Sequence, residues 1–445
     1  MSDDKSSSAG GGLRRYLDKL DRVAPVVVRG RVKEVTGLIV RASVPNAAVG
    51  DLVEIHGKKG SVKMAEVVGF KDELAVLMPL GDIEGIGPED EVESTGKPLT
   101  MLCGPGLLGR VLDGLGQPID DGPPLEQTDV QPWPIMRNPP HPLERERITQ
   151  PLSMGIRAID ALLTVGQGQR VGLFAGSGVG KSTLMGQIAR GCEADIIVIS
   201  LIGERGREVR DFLEEVLGEE GLKRAVVICA TSDAPSLVRL KSAYVATAVA
   251  EWFRDQGHKV LMMMDSVTRF ARAQREVGLA AGEPPARQGY PPSVFSMLPK
   301  LLERTGSSPK GSITALYTVL VAGGDMEEPI ADEVRGILDG HILLNRKLAT
   351  RNHWPAIDVL PSLSRVMNAV ASSEHKRAAG QFREVLATYE SKRDLISLGA
   401  YAYGSDEQVD YAMDIIEELE GLLKQGLEEH APLEDTVEKM LDIFD

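Results

Sequence analysis

The sequence predicts three domains in order: an N-terminal β-barrel, a central α/β domain, and a C-terminal α-helical domain. Short apolar segments separated by turns occupy the first hundred residues, as in small barrels. Apolar strands then alternate with helical stretches from Gln150 to about Ser372, which indicates a mainly parallel sheet. After Ser373 only helical spacing remains. A chain of 445 residues, 42% of them hydrophobic, can build several cores.

Composition excludes several classes of protein. No apolar run approaches the length of a membrane span, and the N-terminus lacks the apolar core of a signal peptide. The three cysteines are far apart, which favours reduced thiols over disulfides or a metal cluster. The net charge of −15 disfavours nonspecific nucleic-acid binding. Residues 406–445 contain fourteen acids and two lysines, a run that most often marks a solvated helical face.

Residues 1–22 are predicted to form a flexible tail and a short helix. The first twelve residues are rich in serine and glycine, and apolar residues then recur at helical spacing from Leu13 to Leu20. The segment Leu13–Val23 has two interpretations. It is either a docking helix for a peripheral stalk protein or the membrane surface, or an end helix that packs on its own barrel.

The remaining boundaries follow from the change of pattern. The barrel is predicted to span residues 23–98, with apolar segments at Val26–Val28, Gly37–Val40, Leu52–Ile55 and Leu74–Leu77. The central α/β domain is predicted to span residues 99–372, and its entry contains an extended, proline-rich surface linker, Pro118–Pro142. Its predicted strands are Val171–Phe174, Ile196–Ile202, Ala225–Ala230, Val260–Met264 and Ile313–Val321.

Residues 373–445 are predicted to form the helical, acidic C-terminal domain. Two helix faces are marked by apolar residues at helical spacing. These residues are Phe382, Val385, Leu386 and Tyr389 on the first face, and Val409, Met413, Ile416, Leu419 and Leu423 on the second.

A phosphate-binding loop follows the first strand of the central domain. The run from Val171 to Thr183 contains a strand, a glycine-rich turn and the start of a helix, which is the context that this motif requires, although Ala175 replaces its first glycine. Lys181 is expected to reach the β- and γ-phosphates of ATP, and the Ser182 hydroxyl to ligate Mg²⁺. The predicted nucleotide-binding residues of the loop are Gly176, Ser177, Gly178, Val179, Gly180, Lys181, Ser182 and Thr183.

Two carboxylates follow neighbouring apolar strands. Asp265 ends the strand that begins at Val260, and in a phosphate-loop fold this places it beside the Mg²⁺ site, acting through a metal-bound water. Glu204 follows the strand that ends at Ile202, where it can orient and polarise the attacking water. The adjacent Arg205 is included among the candidate catalytic residues.

Longer segments resemble a known family. The runs Gly109–Asp120 and Gly155–Asp160 look like the corresponding parts of the rotary ATP synthase subunits. The run Gly168–Thr183, which includes Ala175, is a more specific match. It resembles the flagellar and type III secretion export ATPases. Three further segments are similar to that family: Gly203–Val209, Gly282–Phe295 and Asp325–His341.

The resemblance implies a fold and an assembly. It implies a β-barrel, a RecA-like phosphate-loop ATPase domain with α/β architecture and a helical domain, assembled as a homohexamer. Glu204 falls on the catalytic carboxylate, which noncatalytic synthase subunits replace with glutamine. Arg365 falls on the arginine finger that reaches the neighbouring subunit's nucleotide. Trp354 falls where the family usually has an adenine-stacking tyrosine, whereas the residues alone would place it in a hydrophobic core.

The segment Gly282–Pro292 is expected to line the central channel of the ring and to meet an axial partner. This placement is implied by the resemblance to rotary proteins. Its four prolines restrict the backbone, so the side chains of Arg287, Gln288 and Tyr290 would be presented on a stiff loop. A surface connection without a partner is the alternative interpretation.

The leading functional hypothesis is an ATP-hydrolysing motor of a flagellar or injectisome type III export apparatus. Its cofactors would be ATP and Mg²⁺. Its partners would be stalk proteins and chaperone–substrate complexes, at a cytoplasmic location peripheral to the inner-membrane export gate. The alternatives are a hexameric nucleic-acid translocase and a catalytic subunit of an ATP synthase. The first alternative needs basic or aromatic contacts in the barrel, where Phe70 is the one aromatic residue between residues 26 and 98.

Overall fold

The computed structural model describes residues 28–57 and 60–444, so the predicted helix at Leu13–Val23 lies outside the described residues. The chain divides into two compact units, Met1–Pro98 and Leu99–Asp445. Within the described residues, none of the helices combines the length and apolar character that crossing a bilayer requires.

The first unit contains a closed six-stranded antiparallel barrel, as predicted. Inward side chains such as Val32, Val53 and Leu77 are fully buried, and closure pairs every strand on both sides. In hydrogen-bonded order the strands are β1 (Arg29–Thr36), β2 (Ile39–Ser43), β5 (Leu74–Pro79), β4 (Val62–Lys71), β3 (Asp51–His56) and β6 (Glu91–Pro98).

Apolar runs identify some barrel strands better than others. Three of the four predicted segments overlap β2, β3 and β5, whereas Val28 precedes β1 and the two residues before it lie outside the described residues. Strands β1 and β6 carry charged residues on the solvent face. Arg29 of β1 pairs with Glu91 and Glu93 of β6 at 2.6 and 3.2 Å. A strand with one solvated face shows alternation and no apolar run.

The second unit is built on a mainly parallel sheet. Five strands confirm the predicted ones to within one residue, because each is buried on both faces and therefore reads as a continuous apolar run. In hydrogen-bonded order the sheet contains β17 (Ile357–Ser364), β16 (Gly340–Leu344), β10 (Arg170–Ala175), β15 (Ser312–Leu320), β13 (Lys259–Asp265), β11 (Ile196–Ile202), β12 (Ala225–Ala230) and β8 (Val111–Asp113); the short β14 (Gly306–Ser307) pairs with β15.

The apolar-run criterion does not identify four strands of this sheet, of which β14 has only two residues. Strands β16 and β17 lie at one edge, where buried and partly exposed residues alternate, and β17 contains Pro361. Strand β8 lies at the other edge and has three residues. Within the predicted linker Pro118–Pro142, β9 (Gln131–Pro134) pairs with β7 (Thr100–Cys103), so this segment is partly ordered by strand pairing.

Helices flank the sheet and follow it. Ser372 caps α11 (Ser373–Ser397), so the predicted boundary between residues 372 and 373 falls where a helix begins. We keep that boundary as a proposal, because Phe382 of α11 and Leu419 of α12 (Glu407–Leu423) share one hydrophobic core with Ile159 and the sheet. The helices are α1 (Arg157–Leu162), α2 (Lys181–Gly191), α3 (Gly206–Asp211), α4 (Gly218–Lys223), α5 (Ser236–Asp255), α6 (Val267–Ala281), α7 (Pro292–Leu302), α8 (Pro329–Ile337), α9 (Arg346–Thr350), α10 (Met367–Val370), α11 (Ser373–Ser397), α12 (Glu407–Leu423) and α13 (Leu433–Asp442), with a π-helical turn at Phe212–Leu217.

Candidate nucleotide site

The glycine-rich loop lies between strand β10 and helix α2. Gly178 and Gly180 have φ angles of 73° and 83°, a left-handed conformation that side chains with a Cβ rarely adopt. Helix α2 then begins at Lys181, so the loop presents backbone N–H groups at a helix N-terminus. All the predicted loop residues except Val179, which is buried, line a cavity of about 530 Å³.

The carboxyl ends of parallel strands place one carboxylate in the lining of this cavity and a second one against Lys181. Asp265 ends β13, and Glu204 lies two residues beyond β11, whose Leu201 pairs with Asp265 in register. The ammonium group of Lys181 contacts both oxygens of Asp265, at 2.5 Å from Oδ2, and lies 3.7 Å from Oε1 of Glu204. Thr318 of β15 donates its hydroxyl to Asp265 Oδ1 at 2.8 Å. The structure therefore brings together the predicted lysine and both predicted acids.

The environment of Glu204 raises the pKa of its carboxyl group. Its side chain is buried, with 7% of the residue exposed. Burial raises the pKa of Glu204 to about 7, and the Asp265 carboxylate acts in the same direction, against the cations of Lys181 and Arg269. Oε2 accepts a hydrogen bond from Arg269 Nη2 at 3.0 Å, whereas the buried Oε1 has no hydrogen-bond partner among the described residues. This oxygen is a free acceptor that points toward the cation of the site.

Arginines surround the acids. Arg269 was not selected from the sequence, yet it also donates to the carbonyl of Gly203 and so fixes the turn that carries Glu204. Its position four residues after Asp265, on the first turn of α6, is the signal that a search for cations near the strand end would have used. Arg205 lies on the rim of the cavity, with 79% of its side chain exposed, and pairs with Glu208 at 2.9 Å.

The donors present fit Mg²⁺ held together with a nucleotide. Ser182 lines the cavity with a hydroxyl, and Asp265 supplies a carboxylate, which are oxygen donors of the kind that Mg²⁺ prefers. Within residues 28–57 and 60–444, no group of three or more His, Cys, Asp and Glu side chains is arranged to hold a metal alone. The donor set therefore suits a cation that is bound jointly by the protein and by phosphate oxygens.

A second cavity, of about 550 Å³, adjoins the first and shares Gly180 and Thr183 with it. Trp354 lines it and is 37% exposed, so it is not a core residue. A Cβ on Gly180 would come within 2.8 Å of the Trp354 ring, which brings the loop and the indole into direct contact. The flat apolar face is suited to stacking against a base.

The segment 424–427 forms another wall of this second cavity, and no sequence pattern predicted its position there. Arg157 of α1 holds it in place, through a hydrogen bond from Nε to Leu422 O at 2.9 Å and through contacts of the guanidinium with Lys424 O and Glu429. The side chain of Gln425 completes the attachment by accepting from the backbone N–H of Arg157 at 2.9 Å. The wall is thus built from residues more than 260 positions apart.

Arg365 lies at the other edge of the sheet. Strand β17 is antiparallel to β16, and Ser364 pairs with Gly340, the first residue of β16. Because β16 is parallel to β10, Arg365 follows at the amino edge, on the order of 15 Å from the carboxyl edge where the phosphate loop lies. Its side chain is exposed and makes no hydrogen bond or ion pair with the described residues. The structure therefore does not bring Arg365 to the cavity of its own chain.

The loop Gly282–Pro292 follows the far end of helix α6, about 20 Å along the helix from Asp265. Arg287 pairs with Asp332 at 3.1 Å, and the guanidinium of Arg275 lies over the ring of Tyr290 at 5.5 Å. These contacts hold the two side chains on the surface, away from the nucleotide site. Gln288, between them, is exposed.

Comparisons with known proteins cover nearly the whole chain. Residues 155–364 match the nucleotide-binding domain of the ATP synthase alpha/beta family, residues 32–96 its beta-barrel domain, and residues 371–442 the T3SS EscN ATPase C-terminal domain. The chain is 54% identical over 410 residues to the flagellum-specific ATP synthase of Bacillus subtilis, covering 92% of this chain and 93% of that protein. It is 51% identical over 418 residues to the type 3 secretion system ATPase of Xanthomonas euvesicatoria, covering 94% of each.

Solved structures of type III secretion ATPases also match the fold of this chain. The assembled ATPase EscN of the enteropathogenic E. coli type III secretion system matches with a TM-score of 0.88 and 46% identity, covering 94% of this chain and all of that one. The structure of assembled EscN in complex with its central stalk EscO matches with a TM-score of 0.86 and 46% identity, with the same coverage.

The raised pKa of Glu204 predicts a pH-dependent cost in stability. The pKa of the folded state, about 7, lies above the unfolded value of about 4.3, so the folded chain holds its proton more tightly and loses stability as the pH rises from about 4.5 to 7. Glu204→Gln removes this loss. The variant should match the wild type near pH 4 and exceed it by about 3 kcal/mol above pH 7, measured by urea unfolding across this range.

Asp332→Asn is the control, at an acid outside the cavity. Hydrogen bonds from Arg287 and Arg335 lower the pKa of Asp332, so this variant should show no such gain with rising pH. A stability difference between Glu204→Gln and the wild type that does not grow between pH 4.5 and 7 would contradict the assigned pKa shift.

Proposed function

The chain belongs to the flagellar and type III secretion ATPases, within the ATP synthase alpha/beta family, and we propose that it hydrolyses ATP to drive a type III protein export apparatus. The observation that carries the reaction is the meeting of Asp265 and Glu204 at Lys181, with a buried Glu204 oxygen that has no hydrogen-bond partner among the described residues. The relatives named above are flagellar and type 3 secretion proteins, which favours this function over a nucleic-acid translocase or a synthase subunit.

The residues at and around the phosphate loop have proposed roles. The loop N–H groups and Lys181 bind the phosphates, and Ser182 and Asp265 hold Mg²⁺, the latter through water. The ion, when bound, neutralises charge on the β- and γ-phosphates. Lys181 now contacts Asp265, so binding of a triphosphate exchanges part of this contact for phosphate oxygens. Arg205, on the rim, adds positive charge beside the transferring phosphate.

Glu204 is proposed to orient and polarise the attacking water. Its free Oε1 can accept a proton of that water, and Arg269 holds the other oxygen in place. A pKa of about 7 is suited to a group that accepts a proton near neutral pH.

Glu204→Gln should retain ATP binding and lose most turnover, by a factor of about 100 or more, because the amide cannot act as a base. Lys181→Ala should instead weaken ATP binding itself. Equilibrium binding of ATP and steady-state phosphate release, measured on the same preparations, separate the two effects. Near-normal turnover in Glu204→Gln would refute the proposed role.

We further propose that the active form is a homohexamer in which Arg365 reaches the nucleotide of a neighbouring subunit. The location of Arg365 at the sheet edge opposite its own phosphate loop supports action between subunits. EscN, a structural neighbour, has been solved as an assembled ATPase, which supports assembly here.

Mixing Arg365→Ala with Lys181→Ala subunits should restore part of the turnover that each variant lacks. In a mixed ring, an interface between an intact phosphate loop on the first variant and an intact arginine on the second is complete. Turnover and mass photometry of the mixtures measure activity and ring formation together. If confirmed mixed rings stay inactive, Arg365 does not act in trans.

The proposed partners are central and peripheral stalk proteins and chaperone–substrate complexes, at the cytoplasmic face of an inner-membrane export gate. EscN has been solved with its central stalk EscO, which supports a stalk partner here. In this chain the loop Gly282–Pro292 is the proposed stalk contact. The acidic residues after Asp406 would favour a basic partner near the same opening.

The double variant Tyr290→Ala, Arg287→Ala should keep basal ATPase activity and lose stimulation by a coiled-coil stalk protein. Both side chains lie on the surface, in contact with Arg275 and Asp332, so their removal leaves the nucleotide cavity intact. ATPase rates with increasing stalk protein test this, and Arg210→Ala, a surface arginine of α3 paired with Glu214, is the control. Unchanged stimulation and unchanged stalk binding would exclude this loop from coupling.

A further inference from the structure

Gln187 lies on the helix that follows the phosphate loop. Gly180, Thr183, Leu184 and Gln187 line the second cavity at helical spacings of three, four and seven, so they form one continuous face. The rise of an α-helix places Gln187 about 9 Å beyond Lys181 along the axis. The residues proposed to bind the phosphates and Gln187, which lines the second cavity, thus follow one another along the same helix. We call the second cavity the base cavity from here on, because the base of the nucleotide is proposed to bind there.

The amide of Gln187 is fixed in orientation by the wall segment. Its nitrogen donates to the carbonyl oxygens of Gly426 and Leu427 at 3.0 and 3.4 Å. Both partners are acceptors, so only the NH₂ group can face them, and the amide oxygen must point the other way. The residue is 7% exposed, and this oxygen makes no hydrogen bond to another described residue. Gln187 therefore presents an acceptor, and no donor, to the cavity.

Gln425, the other glutamine of the cavity, has both the oxygen and the nitrogen of its amide engaged within the protein. Its oxygen accepts from the backbone N–H of Arg157 at 2.9 Å. Its nitrogen donates to the carbonyls of Gly155 and Glu429 at 2.8 and 2.9 Å. Every hydrogen of this amide is already used within the protein.

The remaining polar side chains of the cavity do not choose between purines. The oxygen of Asn352 accepts from the Trp354 indole at 3.0 Å, and its NH₂ donor would suit N7, an acceptor in both adenine and guanine. The Thr183 hydroxyl can donate or accept. Lys424 pairs with Glu420 at 2.9 Å.

We propose that Gln187 selects adenine, by accepting a hydrogen bond from the exocyclic 6-amino group of the base. Guanine carries a carbonyl oxygen at that position, so two acceptors would face each other. A purine without a 6-substituent would leave the oxygen of Gln187, a buried side chain, without a partner on the base. The inference rests on the proposed function, because it requires a nucleotide to occupy both cavities.

Binding of three nucleotides to the full chain tests this selection. The probes are ATP, GTP and purine riboside triphosphate, which lacks the amino group, and the measurement is calorimetry without added divalent metal, so that turnover does not intervene. The wild type should bind ATP roughly fivefold or more tightly than either of the others. In Gln187→Met, which keeps the length of the side chain and removes the acceptor, the three affinities should agree within about twofold.

Gln425→Met is the matched control. It disturbs the same wall without changing the acceptor, so it should weaken all three nucleotides by a similar factor and keep the preference for ATP. The proposal is overturned if Gln187→Met keeps the preference for ATP, as Gln425→Met should. It is also overturned if the wild type binds purine riboside triphosphate as tightly as ATP. The wild-type comparison holds even where a variant does not fold. Failure of the wild type to bind any of the three nucleotides, in the presence of Mg²⁺ as well as in its absence, would refute the proposed function instead.

Discussion

The parallel register of four neighbouring strands is the constraint on which the candidate site depends. Strands β10, β15, β13 and β11 run in the same direction, so their carboxyl ends meet at one edge of the sheet. That edge receives the phosphate loop, Thr318, Asp265 and Glu204. One cation, Lys181, then lies among two buried carboxylates, and burial together with the second carboxylate keeps the pKa of Glu204 near neutrality. An antiparallel arrangement would distribute the same residues over two edges.

The shape of the second cavity, the proposed base cavity, depends on contacts between remote parts of the chain. The wall segment 424–427 belongs to the connection after α12, yet it is attached to α1 by Arg157 and to α2 by Gln187. The C-terminal helices and the sheet also share one hydrophobic core. A displacement of these helices would therefore move one wall of the cavity. This gives the helical segment a direct physical link to nucleotide binding, which a separate domain on a flexible connection would lack.

The two edges of the sheet divide the proposed chemistry. The carboxyl edge holds the groups that are proposed to bind phosphate and orient water, whereas the amino edge carries Arg365, whose exposed side chain makes no ion pair with the described residues. Within one subunit the sheet lies between these two groups. The proposed completion of the site by a neighbour agrees with this geometry, and it would make activity depend on assembly.

The sequence by itself determined the order of the domains, the five buried strands, the phosphate loop and the two strand-end carboxylates. These features depend on local patterns: apolar runs, glycines at positive φ, and residues at the ends of predicted strands. The edge strands β16 and β17 were missed, because half-buried strands carry no continuous apolar run. Only the tertiary structure decided that Arg269 supports Glu204, that segment 424–427 closes the base cavity, that Trp354 is exposed to this cavity, and that Arg365 lies at the far edge. Each of these depends on the packing of segments distant in sequence, and no local pattern encodes which of those segments will meet.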